Sequence, residues 1–404
     1  MKYIALPLPR IELGKPLPVN VWDAHGTLLI RKGQTIMDPH HKELLQQHGA
    51  CATEPDFKAW QRAYDRQIYA LFRNGASIGE ISRSLMPTEI LDIDYVVGFD
   101  VKGGWLDLHE VLNGLLYQGA AARNALERLE GINTRATSLV HANADDCLFT
   151  LFQLLPDRSV PYSAKHALLS ATLCELTARK LQVPDFVRPV LFQAALMMNI
   201  AMAKEQDEMA RQTIPLTAEQ KALIQTHPQR SVAVLRGFGM VNEDLLDMVG
   251  GHRADDQFSG QARNLECCQI LSMADQFIAK MAARATRPGL SAISAAKSMF
   301  TEAAPGMARI GSAMTTAVGF YPPGTYVTLA NGETAVAVRR GATANAPLVA
   351  SLIDAKGTTM SMYVGRDTRD RQFAVTSPVS PDVLRLKVNA EKVEKALSRL
   401  VPDH

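Results

Sequence analysis

Helical periodicity governs this chain from about residue 106 to 317 and then stops, near Gly319, where two-residue alternation takes over. A stretch of that length with apolar residues every three to four positions hides them by packing helix on helix. Within a predicted helix over 162–181, Ala164, Leu168, Ala171, Cys174 and Ala178 fall at this spacing. Residues 189–203 are apolar on nearly all sides, as expected for the central helix of a bundle. Further helices are predicted over 107–129, 137–155, 265–283 and 290–303. Thr217 and Gln220 form a capping-box pattern ahead of 221–235, and Asn242 is placed to cap the helix after it.

The flanks read differently. Residues 17–21 and 27–30 are short apolar runs around Asp23-Ala-His-Gly26, a hairpin signal, and a helix is predicted over 39–48. Residues 56–72 are helical in pattern, and 90–99 could supply one or two strands. After Gly319, residues 326–329 and 334–338 alternate about Asn331-Gly332, a strong hairpin signal, with strands expected at 348–353 and 360–364 and a helix at 390–400. A chain of 404 residues exceeds one ordinary core. The predicted fold is therefore mainly α: an all-helical bundle (106–317) after a small β-rich N-terminal unit (1–55) and a mixed linker region (56–105), and before a small β domain with a terminal helix (318–404).

Composition closes several routes. The net charge is only +2 and no Lys/Arg cluster stands out, so neither nucleic acid nor an anionic membrane is expected as partner. The N-terminus lacks a secretory pattern, and the most apolar run is too short to span a bilayer. Cys51, Cys147, Cys174, Cys267 and Cys268 have no metal-finger spacing, which suits reduced thiols in a cytoplasmic protein. No phosphate loop, nucleophile elbow or dinucleotide fingerprint is present.

Five segments, in order, carry a resemblance. They are Tyr162-Ser-Ala-Lys-His166, the run from Ala194 through Met198-Asn199 to Met202, the stretch from Leu216 to His227-Pro228, Gly251-His252-Arg253 through Gln261, and Ile270 through Asp275 to Ala279. Together they resemble the HD-GYP branch of the HD phosphohydrolases, and the stretch from Tyr321 to Glu333 is similar to the β extension that often ends such proteins. The resemblance covers roughly half the chain and implies an HD-type bundle. In the family it implies hydrolysis of cyclic di-guanylate by two or three metal ions, which polarise phosphoryl oxygens and lower the pKa of a bridging water.

The sequence departs from that pattern where the metals would sit. The family's His-Asp is Met198-Asn199, which replaces an imidazole by a soft thioether and a bridging carboxylate by a neutral amide. The lysine that follows in the family is Met202. Of His-His-Glu only His252 is kept, between Gly251 and Arg253, whose charge opposes a cation, and Gly-Tyr-Pro reads Ser259-Gly-Gln261. His166, His227, His252 and Asp275 remain as residual metal-site positions. They could hold a single iron or zinc ion, or be relics with structural roles, Asp275 pairing with Arg253. No catalytic residue, metal or cofactor is expected.

Three functions stay open. The first is a catalytically inactive signalling or scaffold protein that docks a diguanylate cyclase, a response regulator or another protein, with homodimerisation through 107–129 as one arrangement. The second is a sensor that binds cyclic di-guanylate without cleaving it, Arg253 and Arg263 supplying phosphate contacts. The third is a residual metal-dependent phosphodiesterase. His109 and His141 have no constellation around them.

Overall fold

The computed structural model describes residues 3–73, 76–90, 104–158, 160–253, 260–284, 287–302, 307–384 and 388–400. The chain divides into two compact units, 1–98 and 99–404.

The first unit places strands β1 (Tyr3–Ala5), β2 (Val21–Trp22), β3 (Leu28–Ile30) and β4 (Cys51–Thr53) in one antiparallel sheet of order β1-β4-β2-β3. Helix α1 (Pro39–Gln47) starts where Asp38 accepts from the His41 amide, with proline in the first turn. Helices α2 (Glu54–Arg73) and α3 (Ile78–Ser82) complete the unit, the latter capped by Ser77 and Glu80. Val21, Ile36 and Trp60 are enclosed in its core, and Trp60 donates its indole N–H to the Pro87 carbonyl at 2.7 Å. The strands expected over 90–99 fall, apart from residue 90, outside the described residues.

The second unit opens with α4 (Trp105–Gln118), α5 (Ala125–Ala142), α6 (Ala144–Leu154) and α7 (Tyr162–Lys180). Two helices therefore replace the single one expected over 107–129. Gly119 takes φ +52° and Asn124 φ +49°, left-handed conformations that end one helix and begin the next although the apolar spacing continues. Asn143 marks a second unexpected break, its Oδ1 accepting from the Asp145 and Asp146 amides at the start of α6. The chain continues through α8 (Arg188–Met197), a 3-10 turn (Ile200–Met202), α9 (Ala203–Arg211), α10 (Ala218–Gly237), α11 (Glu243–Gly251), α12 (Leu265–Met281), α13 (Ala292–Glu302) and α14 (Met307–Val318). The capping residues Thr217 with Gln220, and Asn242, act as predicted.

The most enclosed helix is α7 rather than the apolar segment over 189–203, which is split at Asn199. Helices α4, α6, α8, α9, α12 and α14 all pack on α7. Several of its buried polar residues find partners inside the bundle. Lys165 donates to the Asp157 carbonyl, Thr172 to the Leu168 carbonyl, and Glu175 receives Arg188 at 3.0 Å and His141 at 2.9 Å.

Strands β5 (Tyr326–Leu329), β6 (Thr334–Arg339), β7 (Leu348–Ile353), β8 (Thr359–Asp367) and β9 (Val375–Val379) form an antiparallel sheet of order β8-β7-β6-β5-β9, followed by α15 (Pro381–Leu384) and α16 (Ala390–Ser398). The β5–β6 hairpin pairs Val327 with Ala335 about Asn331-Gly332, and Gly332 has φ +84° as such a turn needs. The β unit is seated against α6. Gly324, at φ +91°, lies so close that a Cβ there would meet the Phe149 carbonyl oxygen at 2.6 Å. Gln153 donates to the Gly324 carbonyl at 2.6 Å and accepts from the Tyr326 hydroxyl at 3.1 Å. The architecture is thus mainly α, a helical bundle with a small β-rich unit before it in the chain and a β domain with a terminal helix after it. Among the described residues no helix is long and apolar enough to cross a membrane.

Candidate functional site

Four helices bring the residual positions together. His166 comes from α7, His227 from α10, His252 from the end of α11 and Asp275 from α12, and all four side chains are buried. The geometry of His227 and His252 is set by backbone groups that ordinary helix bonding leaves free. Pro228 has no N–H, so the carbonyl of Ile224, four residues earlier in α10, lacks its helical donor. His227 Nδ1 lies 2.7 Å from that oxygen and supplies the missing bond. Val249 is among the last four residues of α11, whose carbonyls have no partner within the helix, and His252 Nδ1 lies 2.7 Å from its oxygen.

An acceptor at Nδ1 requires that nitrogen to carry the proton, so in the neutral rings both Nε2 atoms are bare acceptors. These two Nε2 atoms face each other at 3.1 Å. Burial, with the charge of His252, pushes His227 down to about 3, and burial also lowers His166 and His252. At neutral pH two lone pairs therefore meet in a dry interior.

Asp275 balances the cluster. Burial would raise its pKa, but Arg253 and then the three imidazoles outweigh that and hold it at about 2. Arg253 Nη2 reaches Asp275 Oδ2 at 2.9 Å, while Oδ1 lies 3.4 Å from His166 Nε2. Oδ2 is thus held by the guanidinium, and His166 Nε2 also lies 3.4 Å from the Asp275 main-chain carbonyl oxygen. The Tyr162 ring packs on His166 with centroids 5.2 Å apart.

Met198, Asn199 and Met202 are buried where the chain turns between α8 and α9. Neither side-chain amide atom of Asn199 finds a hydrogen-bond partner among the described residues. Ser231, one turn beyond His227, accepts from the Ala201 amide at 3.3 Å and ties this turn to α10. Only its four-residue offset from His227 marks it in the sequence. Gly251 is the last residue of α11. The structure does not bring Arg263 to the cluster: it is exposed and binds Asp244 Oδ1 through Nε and Nη2 at 3.0 and 2.6 Å. Ser259 lies outside the described residues.

The donor set does not fit a multinuclear metal cluster. The two facing Nε2 atoms are spaced as two ligands of one ion with bonds of about 2.1 Å would be. The one carboxylate, however, is bound by a guanidinium, and the would-be bridging position is the neutral Asn199. Among the described residues no group of three or more His, Cys, Asp or Glu side chains is arranged to hold a metal ion. Nucleophilic chemistry has no better footing, because burial raises Cys267 and Cys268 to about 11 and 12 and pushes Cys174 well up. His109 and His141 serve structural bonds, to the Pro161 carbonyl and to Glu175.

No family model matches the sequence, and no curated protein matches it. Among solved structures the chain is similar to Bd1817, a HDG"Y"P protein from Bdellovibrio bacteriovorus. The identity is 14%, covering 78% of this chain and 98% of that one, with a TM-score of 0.42.

Proposed function

We infer that this chain is a non-hydrolysing HD-GYP-like protein of the cytoplasm. It acts as a scaffold in signalling related to cyclic di-guanylate, through a protein partner such as a diguanylate cyclase or a response regulator. The reading rests on the ordered set of motif positions in the sequence. The single observation that carries the loss of hydrolysis is the ion pair of Arg253 with Asp275. Paired-metal hydrolysis needs carboxylates free to bridge cations and neutralise their charge. Here the surviving carboxylate neutralises an arginine, and no second acid replaces Asn199 among the described residues.

The scaffold role draws support from the intact helical framework around the altered site. A phosphate ligand at Arg253 or Arg263 would compete with Asp275 or Asp244 for the guanidinium, which weighs against the sensor reading.

Elemental analysis of protein purified without chelator, with a cyclic di-guanylate hydrolysis assay in added iron or manganese, tests the reading. The natural chain is expected to hold no stoichiometric metal and to leave the dinucleotide intact. The quadruple variant Met198→His, Asn199→Asp, Gly251→His, Arg253→Glu is expected to gain metal. Stoichiometric metal and turnover in the natural chain would overturn the proposal.

A further inference from the structure

The seam between the helical bundle and the C-terminal sheet contains a cavity of about 250 Å³. Its wall includes Phe152, Met281, Leu290, Phe320, Tyr321 and Pro378, and among the described residues no lining residue is charged. Well-packed interiors leave few voids larger than a water molecule, so a space of this size is a built feature or a costly one. Its walls are braced. Gly324 is pressed against the backbone of α6, Gln153 bonds to both Gly324 and Tyr326, and Arg340 is held by Asp145 at 2.5 Å and by the Ala317 carbonyl at 2.7 Å. These bonds fix the β unit on the bundle and prevent the seam from closing over the void. Leu290, at the wall, is 40% exposed and gives a way in from the surface.

We propose that this cavity is a binding site for a small, uncharged, largely apolar molecule, of one or two rings, that bridges the bundle and the β unit. Size sets the upper limit. A cavity of about 150 Å³ takes one benzene, so 250 Å³ admits on the order of ten non-hydrogen atoms. A cyclic dinucleotide is far too large, and among the described lining residues no charge answers its phosphates. Polarity sets the class: a mainly apolar lining with a few hydroxyls selects a ligand that is apolar with one hydrogen-bonding group. The Tyr321 hydroxyl has no hydrogen-bond partner among the described residues and is the group we assign to meet it.

Indole is a suitable probe, having two fused rings and one N–H. Calorimetric titration of the full chain is expected to show one site for indole, and indole-3-acetate, its carboxylate analogue, at least tenfold weaker. Methyl resonances of Ala292 and Thr325, which line the cavity, should shift with indole while those of Val21, in the first unit, stay put. Leu290→Trp should cut indole affinity at least tenfold by filling the space, and Tyr321→Phe should cut it a few-fold. Should Leu290→Trp not fold, the resonance shifts decide alone. Saturation without shifts at Ala292 and Thr325, no binding at millimolar indole, or equal binding of the carboxylate would each overturn the assignment.

Discussion

Arg253 donates from Nη2 to Asp275 Oδ2 across 2.9 Å, so a cation of the protein itself neutralises the buried carboxylate. The guanidinium is partly solvated, at 37% side-chain exposure, whereas the carboxylate is almost fully enclosed. The two partners therefore respond unequally to removal.

Arg253→Met should leave Asp275 as a buried charge supported only by imidazoles. The expected cost is about 2 kcal/mol, below the 3–5 of a fully enclosed pair because Arg253 is partly in water. Adding Asp275→Asn removes the stranded charge and should recover at least half of that loss. Urea denaturation of the two variants against the natural chain checks this, and a double variant no more stable than Arg253→Met would count against it.

Acid should destabilise the fold well above the carboxylate range. His166, His227 and His252, and also the buried His109, are held below the unfolded value of about 6.5, so the unfolded chain gains protons first as pH falls. Their contribution is complete only above about pH 7.5 and is lost progressively as pH falls through 6.5 and below. For His227, lowered to about 3, the loss between pH 6.5 and 5.0 is about 2 kcal/mol. Asp275, lowered from 3.8 to about 2, adds a loss of the same sign only below 3.8. Urea midpoints at pH 8.5, 7.5 and 5.0 should be nearly flat across the first interval and fall across the second.

His227→Gln separates the ring contact from its proton chemistry. A glutamine amide can donate to His252 Nε2, where two acceptors now meet at 3.1 Å, but gives up the bond to the Ile224 carbonyl. Each change is worth about 1 kcal/mol, so stability at pH 7.5 should hardly move. The acid-induced loss should shrink by the His227 share. An unchanged pH dependence in this variant would refute the assignment of that share.

Gly324→Ala should cost about 3 kcal/mol. Its φ of +91° disfavours any Cβ, and the added atom would lie 2.6 Å from Phe149 O and 2.9 Å from Phe152 Cβ. Thermal unfolding reports it directly. A neutral effect would mean that the β unit can lift from α6 without penalty.

Local chemistry made part of this structure readable. Asn331-Gly332 between alternating runs marks the β5–β6 hairpin, and Thr217 with Gln220 marks the start of α10. The break at Gly119 was hidden because apolar spacing continues across it, and only a positive φ reveals two helices. Helix α14, rich in small residues, and strand β9, which contains Pro378, gave too little pattern to be singled out. At the site, the order of the motifs pointed to the residues that converge. The contact between the two Nε2 atoms was not readable, since it depends on which carbonyl each Nδ1 finds. Arg263 shows the limit from the other side: an arginine near a motif is placed by its nearest acid, here Asp244.

Pro228 carries a consequence for how such a pocket can change with time. Because a residue lacking an amide hydrogen leaves Ile224 open, the orientation of the His227 ring is written into the main chain and does not depend on neighbouring side chains. Acids around it can be exchanged for amides, thioethers or arginine while the ring still turns the same nitrogen inward. Side chains around the chamber can thus be replaced without turning the ring, provided that Pro228 and the Ile224 carbonyl keep their places.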